Sequence, residues 1–237
     1  MNFCSACGSS DLVLKVPPGD NRPRRVCLSC GTVHYENPKM VVGTLVEVEG
    51  GLLLCRRAIE PRRGLWTFPG GFLELDESTA EGALRETYEE ALARVALRRP
   101  FGHFDIPHIG QAYILFKATL APAVARHPEL GLASGADSVV QQPVPNSSPA
   151  FGAGEESLEV RVFSLDEIPW ADLAFSVVRF ALQLFVDDRR AGREHYHYAV
   201  VYREPSEEAY DIRSYSLRDH QAIALSESVR PGSASHV

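Results

Sequence analysis

No apolar run in this 237-residue chain approaches the roughly 20 residues that a membrane-crossing helix needs. An excess of basic residues is also missing. Twenty-four Lys and Arg stand against 31 Asp and Glu, a net charge of -7, the wrong sign for a general nucleic-acid binder. Cysteine is sparse: five residues, in two tight pairs and one single, which is not the framework of a small secreted disulfide protein. A reducing compartment is therefore expected. The opening MNFCSAC has neither the basic nor the apolar stretch of a signal peptide and leads straight into what reads as folded structure. What the chain does have is 45% hydrophobic residues, ample for a globular core. Its length suits one catalytic domain with a small added module.

The most informative stretch is GFLELDESTAEGALRETYEEALA, from Gly71 to Ala93. A glycine turn is followed by Glu77, Arg85, Glu86, Glu89 and Glu90. On a helix, Glu86, Glu89 and Glu90 stand at i, i+3 and i+4 and share a face. Carboxylates packed this closely repel one another unless a cation neutralises them. Hard oxygen ligands suit Mg²⁺ or Mn²⁺, which in turn grip phosphate oxygens. A solvated acidic helix face is the plain alternative.

Residues 1–38 carry Cys4-x2-Cys7 and Cys27-x2-Cys30, separated by 19 residues, with a glycine after each pair. Four soft thiolates at this spacing read as a closed, structural Zn²⁺ site; two disulfides or a redox pair are the competing readings. So short a segment needs a metal to fold. His34 follows closely and reads as a surface or packing residue, since four cysteines already fill the site.

From residue 39 on, MVVGTLVEV and GLLLCRR read as a β-hairpin around Glu49-Gly50-Gly51. Cys55 falls in its second strand as a small buried hydrophobe. Arg56 and Arg57 end that strand, and a guanidinium there suits a diphosphate, Arg57 being the better candidate. Strands follow at Phe101–Asp105 and Gln111–Leu120, with Ile106 to Gly110 as a loop able to face substrate. Composition then shifts to Ala, Ser, Pro and Gly, and 121–154 reads as a flexible surface insertion. Glu155 to Phe163 resumes a strand, and SLDEIPWADLAF reads as a turn entering a helix. SVVRFALQLFVDDRRAG has helical spacing with Gly192 as its stop, and HYHYAVVY reads as one more strand. His195, His197 and His220 show no trustworthy ligand spacing in sequence. Residues 201–237 read as a tail with a disordered end.

Spaced as G-x5-E-x7-R-E-x-x-E-E, the acidic stretch resembles the signature of the Nudix hydrolases. The resemblance implies an α+β fold, a Nudix α/β/α sandwich with a mixed sheet between helices, here spanning residues 39–200 after the ribbon. It also implies that Glu86, Glu89 and Glu90 hold Mg²⁺ or Mn²⁺ with help from a backbone carbonyl of Gly70 or Gly71. Glu77 and Arg85 support them. A further carboxylate on the strand before SLDEIP, matched by Glu159 with Glu155 and Glu156 as rivals, completes the ion cage. Where the family pattern has a glycine after the two glutamates, this chain has Leu92, so the helix is expected to run on into Ala93, Arg94 and Val95. Phe104, Phe72 and Tyr113 are the aromatic candidates for stacking on a base or flavin.

Beyond the box, CSACG, the span from VCLSCG to ENPKMVVG, DIPHIGQAYI, ESLEVRVFSLDEIPWADLAFS and DIRSYSLRDH resemble zinc-ribbon Nudix hydrolases, and DIRSYSL in particular the plant and algal branch of plastid FAD pyrophosphatases. That likeness implies cleavage of FAD to FMN and AMP, with ADP-ribose as a second substrate, by a homodimer in the plastid whose transit peptide is absent from this chain; the cytoplasm is the alternative. The related NADH pyrophosphatases carry SQPWPFP after the box, where this chain has FGHFDIPHIGQAY. A nucleotide-binding module without catalysis is the rival class, but such modules lose box glutamates that this chain keeps.

Overall fold

The computed structural model describes residues 1–121, 150–204 and 211–225. The chain forms two compact units, Met1–Pro38 and Lys39–Val237. The first is a three-stranded antiparallel sheet of β1 (Leu12–Lys15), β2 (Arg24–Cys27) and β3 (Val33–His34). Two matching turns flank it: Gly8 N–H donates to the Cys4 carbonyl at 2.8 Å and Gly31 N–H to the Cys27 carbonyl at 2.9 Å.

The second unit is built on a nine-stranded mixed sheet. Strands β4 (Lys39–Val48) and β5 (Gly51–Arg57) meet in a two-residue turn, Glu49-Gly50, with both residues at positive φ, as the right-handed strand twist favours. The short β6 (Trp66–Thr67) pairs with β5, and β7 (Gly70–Phe72) with β4. Helix α1 (Thr79–Ala91) follows. Then come β8 (Val95–Ile106), β9 (Gln111–Leu120), β10 (Ser157–Phe163), α2 (Ser176–Ala191), β11 (His195–Arg203) and β12 (Tyr215–Ala224). The main order is β10-β5-β4-β9-β8-β11-β12, with β4 parallel to β9 and β8 parallel to β11. Ile106 to Gly110 closes β8 onto β9 through a single 3-10 turn at Pro107–Ile109. The sheet thus continues past residue 200, where the sequence suggests a tail. Most of the predicted 121–154 insertion, and the end of the chain, lie outside the described residues.

Both sheet faces are covered, which explains why its central strands read as unbroken apolar runs. On β5, Leu52 and Leu54 enter the cluster formed with Val178, Leu182 and Phe185 of α2. Leu53 and Cys55 point the other way, into the cluster that holds Ala91 of α1. The result is a mixed sheet between two helices. Helix α2 ends where its spacing predicts, with Gly192 in the left-handed conformation.

Helix α1 begins with a capping box. Ser78 accepts from Glu81 N–H, and the Glu81 carboxylate accepts from Ser78 N–H, leaving fewer unpaired donors at the helix start. Its other end corrects the expectation of a run-on helix. Leu92 itself takes the left-handed conformation, φ 48°, and its N–H bonds to the Tyr88 carbonyl. The segment before β10 supplies the rest of the cap: Gly152 N–H donates to the Ala91 carbonyl at 2.7 Å, and Gly154 N–H to the Glu90 carbonyl at 3.0 Å. Those carbonyls lack helical partners of their own, so backbone from elsewhere ends the helix where a glycine would otherwise do so.

A Cβ on Gly154 would lie 1.7 Å from the Glu89 carbonyl oxygen, whereas one on Gly152 meets only a Leu92 methyl at 3.8 Å. Gly154→Ala is therefore expected to lower stability by about 2–4 kcal/mol. Gly152→Ala should stay within about 1 kcal/mol of wild type in the same thermal-denaturation assay. Equal effects would remove the docked segment from the helix cap.

Candidate active site

Arg85 organises the acidic face of α1. Its Nε and Nη2 bond to both oxygens of Glu77 at 3.0 and 2.7 Å. Nη1 reaches Glu86 and Glu89, each at 2.9 Å, and Nη2 also donates to the Phe72 carbonyl at 3.1 Å. The planar guanidinium thus ties three carboxylates to the loop after β7. Glu77 also accepts from Glu74 N–H at 2.7 Å, and its Arg85 partner holds its carboxyl below the usual range.

Glu90 is the most enclosed of the group, 5% exposed. Its Oε2 accepts from Gly70 N–H at 2.9 Å. Burial pushes its pKa up to about 7 despite that bond, with Glu86 and Glu156 adding to the shift and Arg57 opposing it. Glu86 is raised for the same first reason, burial, with Arg85 opposing and Glu89 and Glu156 reinforcing. A Cβ on Gly71 would fall 2.5 Å from the Glu86 carboxylate, so only glycine lets that side chain lie against the loop. Glu89 remains exposed at the rim, its side chain 56% accessible.

The donor set fits a hard divalent cation: all are carboxylate oxygens, they crowd one another, and a glycine loop lies flat against them. Glu86, Glu89 and Glu90 would hold the ion, with Gly70 and Gly71 lining the loop beside them. Of the carboxylates outside the helix, Glu156 is the one whose charge acts on Glu86 and Glu90. Glu159 is turned away from them. Val160 and Val162 of β10 pack on the α1 side, so Glu159 projects to the opposite face. There it pairs with Arg56 across the strands at 3.8 Å. Glu156 lies ahead of the register shift that begins β10, next to the segment that caps α1, and its charge acts on both Glu86 and Glu90.

The two arginines have different partners. Arg57 feels Glu90 and Tyr113, bonds to the Pro61 carbonyl at 2.9 Å and sits 5.2 Å from the Phe175 ring. Arg56 bonds to the Gly64 carbonyl at 2.9 Å and pairs with Glu159. Phe104 is corrected outright: it is fully buried on the inward face of β8 among the α2-side core and cannot stack on a ligand. Phe72, by contrast, is half exposed beside Lys39, and Tyr113 is partly buried against the core. The sequence offers Glu156 as a rival of Glu159, and only the partners each meets in the fold rank one above the other.

In the ribbon, the four cysteine sulfurs lie within 4.8 Å of one another. Cys4 and Cys30 are 3.7 Å apart, Cys7 and Cys27 3.6 Å. This all-thiolate cluster fits tetrahedral Zn²⁺. His34 is buried, not a surface residue, and its Nε2 lies 3.3 Å from Cys4 Sγ. It is the outer partner that a metal-bound thiolate uses.

A carboxylate helix packed on a glycine loop, on a mixed sheet between two helices and with a cysteine ribbon ahead of it, defines a divalent-metal phosphate enzyme with a structural zinc module. The chain belongs to the Nudix hydrolase family: residues 37–185 match the NUDIX domain and residues 2–36 the Nudix N-terminal zinc ribbon. A solved NUDIX hydrolase from Nitrosomonas europaea is 41% identical, covers 84% of this chain and 98% of its own, and superposes with a TM-score of 0.70. Among curated proteins, a MutT-like protein of Streptomyces ambofaciens is 36% identical over 86 residues, 36% of this chain and 54% of that protein. The NAD-capped RNA hydrolase NudC of Vibrio parahaemolyticus is 29% identical over 102 residues, 43% of this chain and 37% of that protein. The chain spans about half or less of the length of these curated relatives.

Because burial raises the Glu90 pKa from 4.5 to about 7, the folded, metal-free protein binds more protons than the unfolded chain between those values. Its stability should therefore fall as pH rises from about 4.5 to about 7, by on the order of 2 kcal/mol. Glu90→Gln should flatten this dependence, and Mg²⁺ should stabilise the wild type against it. Denaturant titrations across that range in EDTA check the slope; a wild-type curve as flat as the variant's would refute it.

Proposed function

We propose that this chain is a Mg²⁺- or Mn²⁺-dependent pyrophosphohydrolase of dinucleotides, with FAD as its main substrate and ADP-ribose as a second. The observation that carries the hydrolase reading is the carboxylate face of α1 on the glycine loop: Glu90 accepts from Gly70 N–H, Glu86 lies against Gly71, and Arg85 ties Glu86 to Glu89. A bound divalent ion would polarise a phosphorus and acidify a water molecule. The protein's own residues do the positioning. Gly70 N–H holds Glu90, Arg85 fixes the rotamers of Glu77, Glu86 and Glu89, and Arg57 offers a cation to the diphosphate from the adjoining strand. Water adds to one phosphorus, the anhydride P–O bond breaks, and FMN and AMP leave with one phosphate each.

The choice of FAD draws on the DIRSYSL segment, which forms the start of β12 and the turn before it, and on the missing SQPWPFP signature. ADP-ribose draws support from an ADP-ribose pyrophosphatase of Methanocaldococcus jannaschii, 36% identical over 56 residues, 24% of this chain and 33% of that protein. A second reading, cleavage of NAD-type dinucleotides, rests on the likeness to the Vibrio protein.

AMP release from FAD, ADP-ribose and NADH at equal concentration, with Mg²⁺ or with EDTA, tests the proposal. FAD should be cleaved fastest and EDTA should abolish turnover; a lead for NADH would favour the second reading. Glu90→Gln and Glu156→Gln should lower kcat at least about 100-fold, whereas Glu159→Gln should change it less than about threefold. A reversed order for the last two would return the outer carboxylate to Glu159.

A further inference from the structure

Away from the α1 carboxylates, four titratable side chains converge where α2 ends and β11 begins. Asp188, in the last turn of α2, is 2% exposed, as is His197. Asp188 Oδ1 lies 2.7 Å from His195 Nδ1 and Oδ2 lies 3.1 Å from His197 Nε2. One ligand atom from each of the three falls within 4.8 Å of the others. The placement follows from the backbone. His195 and His197 are two residues apart on β11, so the pleat sends both to one face. The Gly192 turn folds the chain back, with Arg193 N–H on the Asp188 carbonyl at 2.9 Å and His195 N–H on its carboxylate at 3.2 Å. His220, from β12, stacks on the far side of His197, its Nε2 3.1 Å from His197 Nδ1.

We propose that Asp188, His195 and His197 form a second zinc-binding site, separate from the cysteine ribbon, with His220 as the residue that positions His197. One carboxylate and two imidazoles are a donor set for Zn²⁺ rather than for Mg²⁺, which prefers oxygen alone. The free nitrogen of a metal-bound imidazole is ordinarily tied to an outer partner that sets its tautomer and ring angle, and His197 has that partner in His220. His195 is only partly buried, which leaves an entry path to the two enclosed ligands. No carboxylate of the α1 site takes part, so the ion would clamp the end of α2 to β11 and β12 rather than act on substrate. Joined by protons alone, the same side chains would be a hydrogen-bonded clamp, and metal content separates the two states.

The test counts zinc in the full-length protein after loading and exhaustive dialysis. Wild type should hold a second zinc equivalent per chain beyond the one in the ribbon. His195→Ala should lose that equivalent, while a Glu89→Gln, Glu90→Gln double variant keeps it. Co²⁺ added to the Glu89→Gln, Glu90→Gln variant with its ribbon already filled with zinc provides a second readout, free of the α1 carboxylates. That protein should develop the intense visible d–d absorption of a four-coordinate site without the strong thiolate-to-metal band of a cysteine site. A single zinc equivalent in the wild type with no such Co²⁺ spectrum in the double variant overturns the proposal, as does a second equivalent that survives in His195→Ala. Should His195→Ala fail to fold by circular dichroism, the Co²⁺ spectrum of the double variant decides alone.

Discussion

A carboxylate pressed against backbone with little water around it keeps its charge only when something close by offsets that charge. In this protein the task falls on the Arg85 guanidinium and the Gly70 N–H. Arg85 bridges Glu77, Glu86 and Glu89, so the loop after β7 and two turns of α1 hold a common geometry. Glu90 has only the backbone donor and the more distant Arg57, and its proton affinity rises accordingly. The face is therefore under electrostatic tension until a cation arrives, which is the condition under which binding a divalent ion yields the largest gain.

That geometry depends on how α1 ends. The backbone of Leu92 adopts a left-handed conformation that costs a non-glycine residue roughly 1–2 kcal/mol, and the helix tolerates it because Gly152 and Gly154 bond to the carbonyls of Ala91 and Glu90. The same segment leads to Glu156, so one stretch of backbone both closes the helix and brings the outer carboxylate to the site. A change in the helix cap is thus coupled to the charge around Glu90. The family's usual glycine is replaced here by two glycines that are distant in sequence and adjacent in space.

The chain keeps three kinds of donor set apart. Thiolates sit in the ribbon unit, with His34 behind Cys4. Carboxylates alone line the α1 face. Mixed imidazole and carboxylate groups gather at the end of α2. Softness of the ligand atoms sorts metals among such sites more than raw affinity does, and separate sets keep a structural ion from competing with a catalytic one.

The sequence by itself determined the ribbon, the paired helices and strands, and the carboxylate trio. These rest on short-range rules: fixed cysteine spacing, 3.6-residue periodicity, apolar runs for strands covered on both faces, and glycine after α2. What only the tertiary structure decided depends on which distant segments meet. The facing of β10 sends Glu159 to Arg56 and away from α1, and side-chain parity buries Phe104. The cap on α1 comes from residues some sixty positions later, and two histidines with no readable spacing meet one aspartate, with a third stacked behind, because a helix, a turn and two strands converge there. Local chemistry is written in the order of residues. Facing and convergence are set by register and packing between segments far apart in the chain, and periodicity carries no information about either.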